Sequence, residues 1–194
     1  MDYYYQLLQY AGDFFFIGLQ LGFIAYLFLK KIPREYHSRW STSVNNFNHS
    51  SEDFYARLKE ELETQNIKGL GIKKVMLKEG TIFSYSRFYL KVVWKDYAFY
   101  ICAAPFYQNF FVSYWIMNRS TIAQILISRI PFFGDWLLRN LYPVTFYKID
   151  TASMLLSYVH SATLKVYDEI TTNSGVRALS EEERKPILND IFKR

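Results

Sequence analysis

Residues 88–117 read FYLKVVWKDYAFYICAAPFYQNFFVSYWIM, and the alternation in this stretch decides the fold. Phe88, Leu90, Val92 and Trp94 fall on one side of an extended chain and Lys91 and Lys95 on the other, as a half-buried strand requires. Lys95-Asp96 marks a tight turn. Two further strand-like runs follow, Tyr97–Ala103 and Phe110–Met117, separated by the irregular segment APFYQN. With the alternating IKKVMLK at 72–78, they predict an antiparallel meander of about four strands.

Helical signals flank the meander. Ser50-x-x-Asp53 is a capping-box variant before an amphipathic helix to about Gln65, whose Phe54, Leu58 and Leu62 recur every four residues. Downstream, Val144–Ile149 reads as a fifth short strand. Asp150-Thr151 then caps a long helix to about Asn173, where Gly175 supplies a stop. Leu155, Val159, Ala162, Val166 and Ile170 give that helix an apolar face to lay on the sheet. Ser180-x-x-Glu183 starts one more helix near Pro186. The expected class is α+β, with a sheet of four to five strands covered by helices over residues 52–194.

The N-terminal end has a different character. Phe14–Leu29 reads FFFIGLQLGFIAYLFL, with Gln20 as its one strongly polar residue, and extension back to Tyr10 gives about twenty residues. Tyr3, Tyr4, Tyr5 and Tyr10 lie before it, and Tyr26, Tyr36 and Trp40 lie near its other end, as in an interfacial aromatic belt. A cleaved signal peptide would need a basic start and a small-residue cleavage site; this stretch starts acidic and ends in Leu-Lys-Lys. Residues 1–31 are therefore expected to form a retained single-pass anchor. Lys30, Lys31 and Arg34 flank it and orient the N-terminus outside and the following domain in the cytoplasm. Gly18 and Gly22 form a G-x-x-x-G pair with Ala25 on the same face, a surface suited to pairing helices in a homo-oligomer. Residues 32–51, polar and rich in Ser and Asn, read as a linker.

Composition bounds the function. The chain has 194 residues, room for one domain with an appendage. Its 51% hydrophobic content excludes a disordered chain, and its single cysteine, Cys102, excludes a disulfide scaffold. All 23 basic residues lie in 30–194, against 16 of the 18 acids, so residues 30–194 carry a surplus of seven positive charges. Lys73, Lys74, Lys78, Lys91 and Lys95, with Tyr89 and Tyr97 interleaved, could gather into a patch. The tether makes membrane lipid the nearer polyanion, and nucleic acid is not the expected partner.

Residues 121–142, TIAQILISRIPFFGDWLLRNLY, are too interrupted by Arg129, Asp135 and Arg139 to span a bilayer. Two readings stand. The segment is a helical hairpin in the domain core, or Phe132, Phe133 and Trp136 dip into the membrane surface while Arg129 and Arg139 meet lipid phosphates.

Chemistry is sparse. His37, His49 and His160 have no cysteine or acidic cluster at ligand spacing, so no metal or other cofactor is expected. His160 reads as a histidine hydrogen-bonded at the edge of a core. Cys102 reads as a buried thiol with no evident activating cation. No nucleophile elbow, phosphate loop or dinucleotide fingerprint is present. A membrane-anchored adaptor or assembly subunit that holds a protein partner is the expected role. The alternatives are a membrane-tethered enzyme acting on a lipid or other apolar substrate and a membrane-perturbing effector.

Overall fold

Half-buried alternating segments need a second layer, and the computed structural model supplies one. It describes residues 2–78, 86–172 and 174–188; the side chains of 2–13, 34–37 and Leu188 fall outside that description, as does Asn173. The elements in order are α1 (Asp2–Leu29), β1 (Lys31–Val44), α2 (Ser51–Glu63), β2 (Gly71–Lys78), β3 (Ser86–Trp94), β4 (Tyr97–Phe106), β5 (Asn109–Thr121), α3 (Ile122–Ser128), α4 (Gly134–Leu141), α5 (Phe146–Thr172) and β6 (Ile187–Leu188). Among the described residues the fold is α+β, with six strands in one antiparallel sheet and five helices. Strand order is β2-β3-β4-β5-β1-β6.

The chain divides into two compact units. One comprises residues 1–32 and 120–143, the other residues 33–119 and 144–194.

In the second unit the meander β2–β5 follows the alternation of its sequence. Trp94 faces Tyr97 across the Lys95-Asp96 turn, and Lys95 takes φ +51, which a two-residue hairpin turn demands. APFYQN is not irregular: β4 runs on to Phe106 and pairs with Asn109, leaving Tyr107 and Gln108 as the turn. One face of the sheet carries Leu90, Val92, Phe99, Ile101, Val112, Tyr114 and Ile116, all buried. Against it lie Phe54, Leu58 and Leu62 of α2 and Leu155, Val159 and Val166 of α5. Each fully buried Leu or Phe adds about 1.5–3 kcal/mol of burial free energy.

The Ser50 hydroxyl accepts from the Asp53 backbone N–H at 3.4 Å and starts α2. Tyr55 of α2 then fixes the layers together: its hydroxyl accepts from Ala103 N–H at 2.9 Å and lies 2.9 Å from the Phe88 carbonyl.

Three elements differ from the sequence expectation. Residues 32–51 are not a linker for most of their length: Lys31–Val44 is β1, inserted between β5 and β6 and burying Ser38, Trp40 and Val44. Val144–Ile149 is not a strand, because Thr145 accepts from the Lys148 N–H through its hydroxyl and its carbonyl and opens α5. The Ser180–Glu183 box forms, with Glu183 N–H on the Ser180 hydroxyl at 3.3 Å and Ser180 N–H on the Glu183 carboxylate at 2.7 Å. It closes only a turn, after which the chain becomes β6 and pairs Ile187 with Arg39 of β1.

Candidate functional site

The first unit holds the features that set this chain apart. Helix α1 is 28 residues long, about 42 Å at 1.5 Å per residue. From Phe14 to Leu29 every side chain is exposed except Leu27, which is half-buried. Phe14, Phe16, Leu19, Leu21 and Phe23 are each between 58% and 74% exposed, so the apolar surface runs all the way around the helix. Water does not tolerate such a surface unless something covers it. Among the described residues no helix is long and apolar enough to cross a membrane. The described side chains of α1 cover residues 14–29, about 24 Å of helix, against a hydrocarbon core of about 30 Å. Gly18 and Gly22 face open space, with nothing within 4 Å of where a Cβ would stand, and Ala25 is exposed on the same face. Lys30 lies 6.0 Å from the Tyr26 ring, Lys31 begins β1, and the Arg34 side chain falls outside the described residues.

Residues 121–142 fold as the helix pair α3 and α4 within this same unit, and none of them belongs to the buried core of the other unit. Thr121 caps α3 through a complete capping box with Gln124, their two bonds measuring 3.2 and 2.7 Å. At Gly134 a Cβ would stand 2.4 Å from the Ile127 carbonyl, so only glycine permits this approach of α4 to α3.

The tip between the helices is strained. Phe132 has φ +65, a left-handed conformation that costs a bulky residue about 1–2 kcal/mol, and its ring is 96% exposed. Phe133 and Trp136, beside it, are 66% and 62% exposed, and Arg129 and Arg139 are exposed as well. A strained backbone that presents a phenyl ring outward adds nothing to packing.

Among the described residues no group of three His, Cys, Asp or Glu side chains could hold a metal. His160 sits at the rim of the core: its Nδ1 is 2.9 Å from the buried Tyr114 hydroxyl, and Trp40 packs edge-on at 5.9 Å. Burial pushes the imidazole below the usual histidine range, opposed by a hydrogen bond to the Arg184 backbone and reinforced by the Arg184 guanidinium. Burial likewise holds the Tyr114 hydroxyl protonated.

Because the folded state binds the proton less readily than the unfolded chain, stability is full above the unfolded histidine value of about 6.5 and falls as pH drops toward the folded value. Urea titrations between pH 7.5 and 5 should show this decline, and His160→Gln should lessen it by the part His160 contributes.

Cys102 is buried, and burial raises its thiol pKa. Contrary to the sequence reading, a cation is near: the Arg87 guanidinium lies 4.0 Å from Sγ and opposes that rise. A groove of about 620 Å³ runs along α5 beside Lys165, Asp168 and Arg184. Of its charges, Asp168 meets Arg184 through two bonds of 2.8 and 2.9 Å and Lys165 meets Glu61 at 2.6 Å.

The basic residues separate by face. Lys73 and Lys91 are cross-strand partners on the side of the sheet away from the core, whereas Lys74 pairs with Leu90 on the core side and meets Glu52 there. Tyr97 points into the core and hydrogen-bonds the Lys148 carbonyl at 2.8 Å. Lys95, in the turn, donates to the Tyr147 hydroxyl at 2.8 Å. Sequence reasoning missed Arg39, because reading 32–51 as a linker kept it off the sheet.

No protein-family model matches the chain, and no curated protein or solved structure is significantly similar to it.

Proposed function

We propose that this chain is a membrane-anchored binding protein. In this reading α1 inserts into a bilayer, the α3–α4 tip enters the interface, and the α+β unit is presented to a protein partner. The observation that carries it is the all-round exposure of the apolar side chains from Phe14 to Leu29. The strained, exposed Phe132 adds a second apolar prominence in the same unit. Lys30, Lys31 and Arg34 follow α1 directly in sequence and favour a cytoplasmic location for what comes after. The open Gly18–Gly22–Ala25 face suits pairing of two copies.

A test of the interfacial tip uses Trp136. With the full chain reconstituted into vesicles, brominated acyl chains should quench more fluorescence in the wild type than in Trp136→Phe. Equal quenching in the two would exclude contact between Trp136 and the acyl region.

A further inference from the structure

The face of the sheet turned away from the core carries a pattern that the anchor reading leaves unused. Cross-strand register places Lys73 opposite Lys91, Lys91 opposite Tyr100, and Tyr100 opposite Trp115, one row across β2, β3, β4 and β5. The row continues onto β1, where the Arg39 guanidinium lies over the Trp115 ring at 5.6 Å. The Lys91 ammonium similarly lies over the Tyr100 ring at 5.1 Å. Arg87 of β3 shares this side. By strand alternation, the described charged side chains on this face of β2–β5 are all basic.

We propose that this face docks an acidic segment of a partner protein. This deepens the binding role proposed above and rests on it. Charge complementarity is the first ground: Lys73, Lys91, Arg87 and Arg39 put four cations on this face. Composition is the second. Tyr, Trp and Arg are the residues that dominate the centres of protein interfaces, and here Tyr100 and Met117 are half-buried while Trp115 is 38% exposed.

The cation geometry separates a protein from a nucleic acid. A single-stranded nucleic acid needs bare ring faces on which bases stack. On Tyr100 and Trp115 those faces are taken by Lys91 and Arg39. Their N–H groups are thereby held beside the rings as donors for carboxylates, with Arg39 offering the bidentate fork. Five strands at about 4.8 Å spacing make the row about 19 Å wide, the span of about six residues of extended chain.

The test uses the full chain in neutral detergent micelles and labelled polyglutamate as the probe, with oligothymidylate of equal charge as the competing class. Polyglutamate should bind more tightly than oligothymidylate. Lys91→Glu combined with Arg39→Glu should weaken polyglutamate at least about tenfold, while Lys59→Glu combined with Lys185→Glu, exposed and off this face, should leave it within about twofold. Polyglutamate should also change the wild-type tryptophan emission, and Trp115→Phe should lose that change; this holds the proposal to account even if the charge reversals fail to fold. Tighter oligothymidylate binding, no polyglutamate binding, or equal loss in both charge-reversed pairs would overturn it. Because the chain is in micelles, failure here leaves the anchor reading standing, and failure of insertion leaves this result interpretable.

Discussion

Arginine at both Leu19 and Phe23 should release the chain from membranes. Alkaline carbonate extraction should leave the wild type in the membrane pellet and move the double variant to the supernatant. Each arginine near the centre of an inserted helix costs about 2.5–3.5 kcal/mol, so the pair removes about 5–7 kcal/mol, near 10⁴-fold in partitioning. Leu19 and Phe23 are 58% and 59% exposed, so an α1 that stood in water would accept both arginines at no such cost. The two environments therefore predict opposite outcomes. A double variant retained in the pellet like the wild type would remove α1 as the anchor. Circular dichroism of the released variant should retain the strand signal, because the core is built from α2, α5 and the sheet.

Phe99→Ala should lower the unfolding free energy by about 3–5 kcal/mol, read from urea titrations in micelles. Phe99 is fully buried, its ring 5.4 Å from that of Tyr114, and truncation leaves a cavity at the centre of the sheet's inner face. Phe132→Ala, at a position 96% exposed, should change stability by less than about 0.5 kcal/mol. The contrast separates a phenylalanine held for packing from one held outward against its own backbone. A loss below about 1 kcal/mol for Phe99→Ala would place the core elsewhere.

Legibility in the sequence follows from how local each signal is. The period of two from Phe88 to Met117 showed the meander because one face is buried along nearly its whole length. The apolar faces of α2 and α5 were equally legible at helical spacing. β1 was obscured by composition: of the described residues 38–44, SRWSTSV, only Ser38, Trp40 and Val44 are buried, and two of the remaining positions are exposed serines. Its place in the sheet is fixed by distant partners, Trp40 donating to the Glu183 carbonyl at 2.7 Å and Ser38 to the Ile187 carbonyl at 3.0 Å. No local pattern records a bond across 143 residues.

The same long-range event hid the candidate docking row. Lys73, Lys91 and the aromatics were visible as residues, yet Arg39 joins them only once β1 lies beside β5. It also changes what can be built: a fragment beginning at residue 46 would lack β1, with Trp40 and Val44 of the core. Residues 121–142 read in sequence either as a helical hairpin in the core or as a membrane-surface segment. That they fall in one compact unit with α1 is a matter of tertiary partition.

The most direct measurement is hydrophobic photolabelling of the full chain in vesicles, using an apolar carbene precursor dissolved in the acyl phase and mapping adducts by peptide mass. The account predicts adducts on residues 14–29 and on Phe132, Phe133 and Trp136, with the inner sheet residues Phe99, Val112 and Ile116 unlabelled. Adducts no more frequent on residues 14–29 than on those buried sheet residues would contradict it.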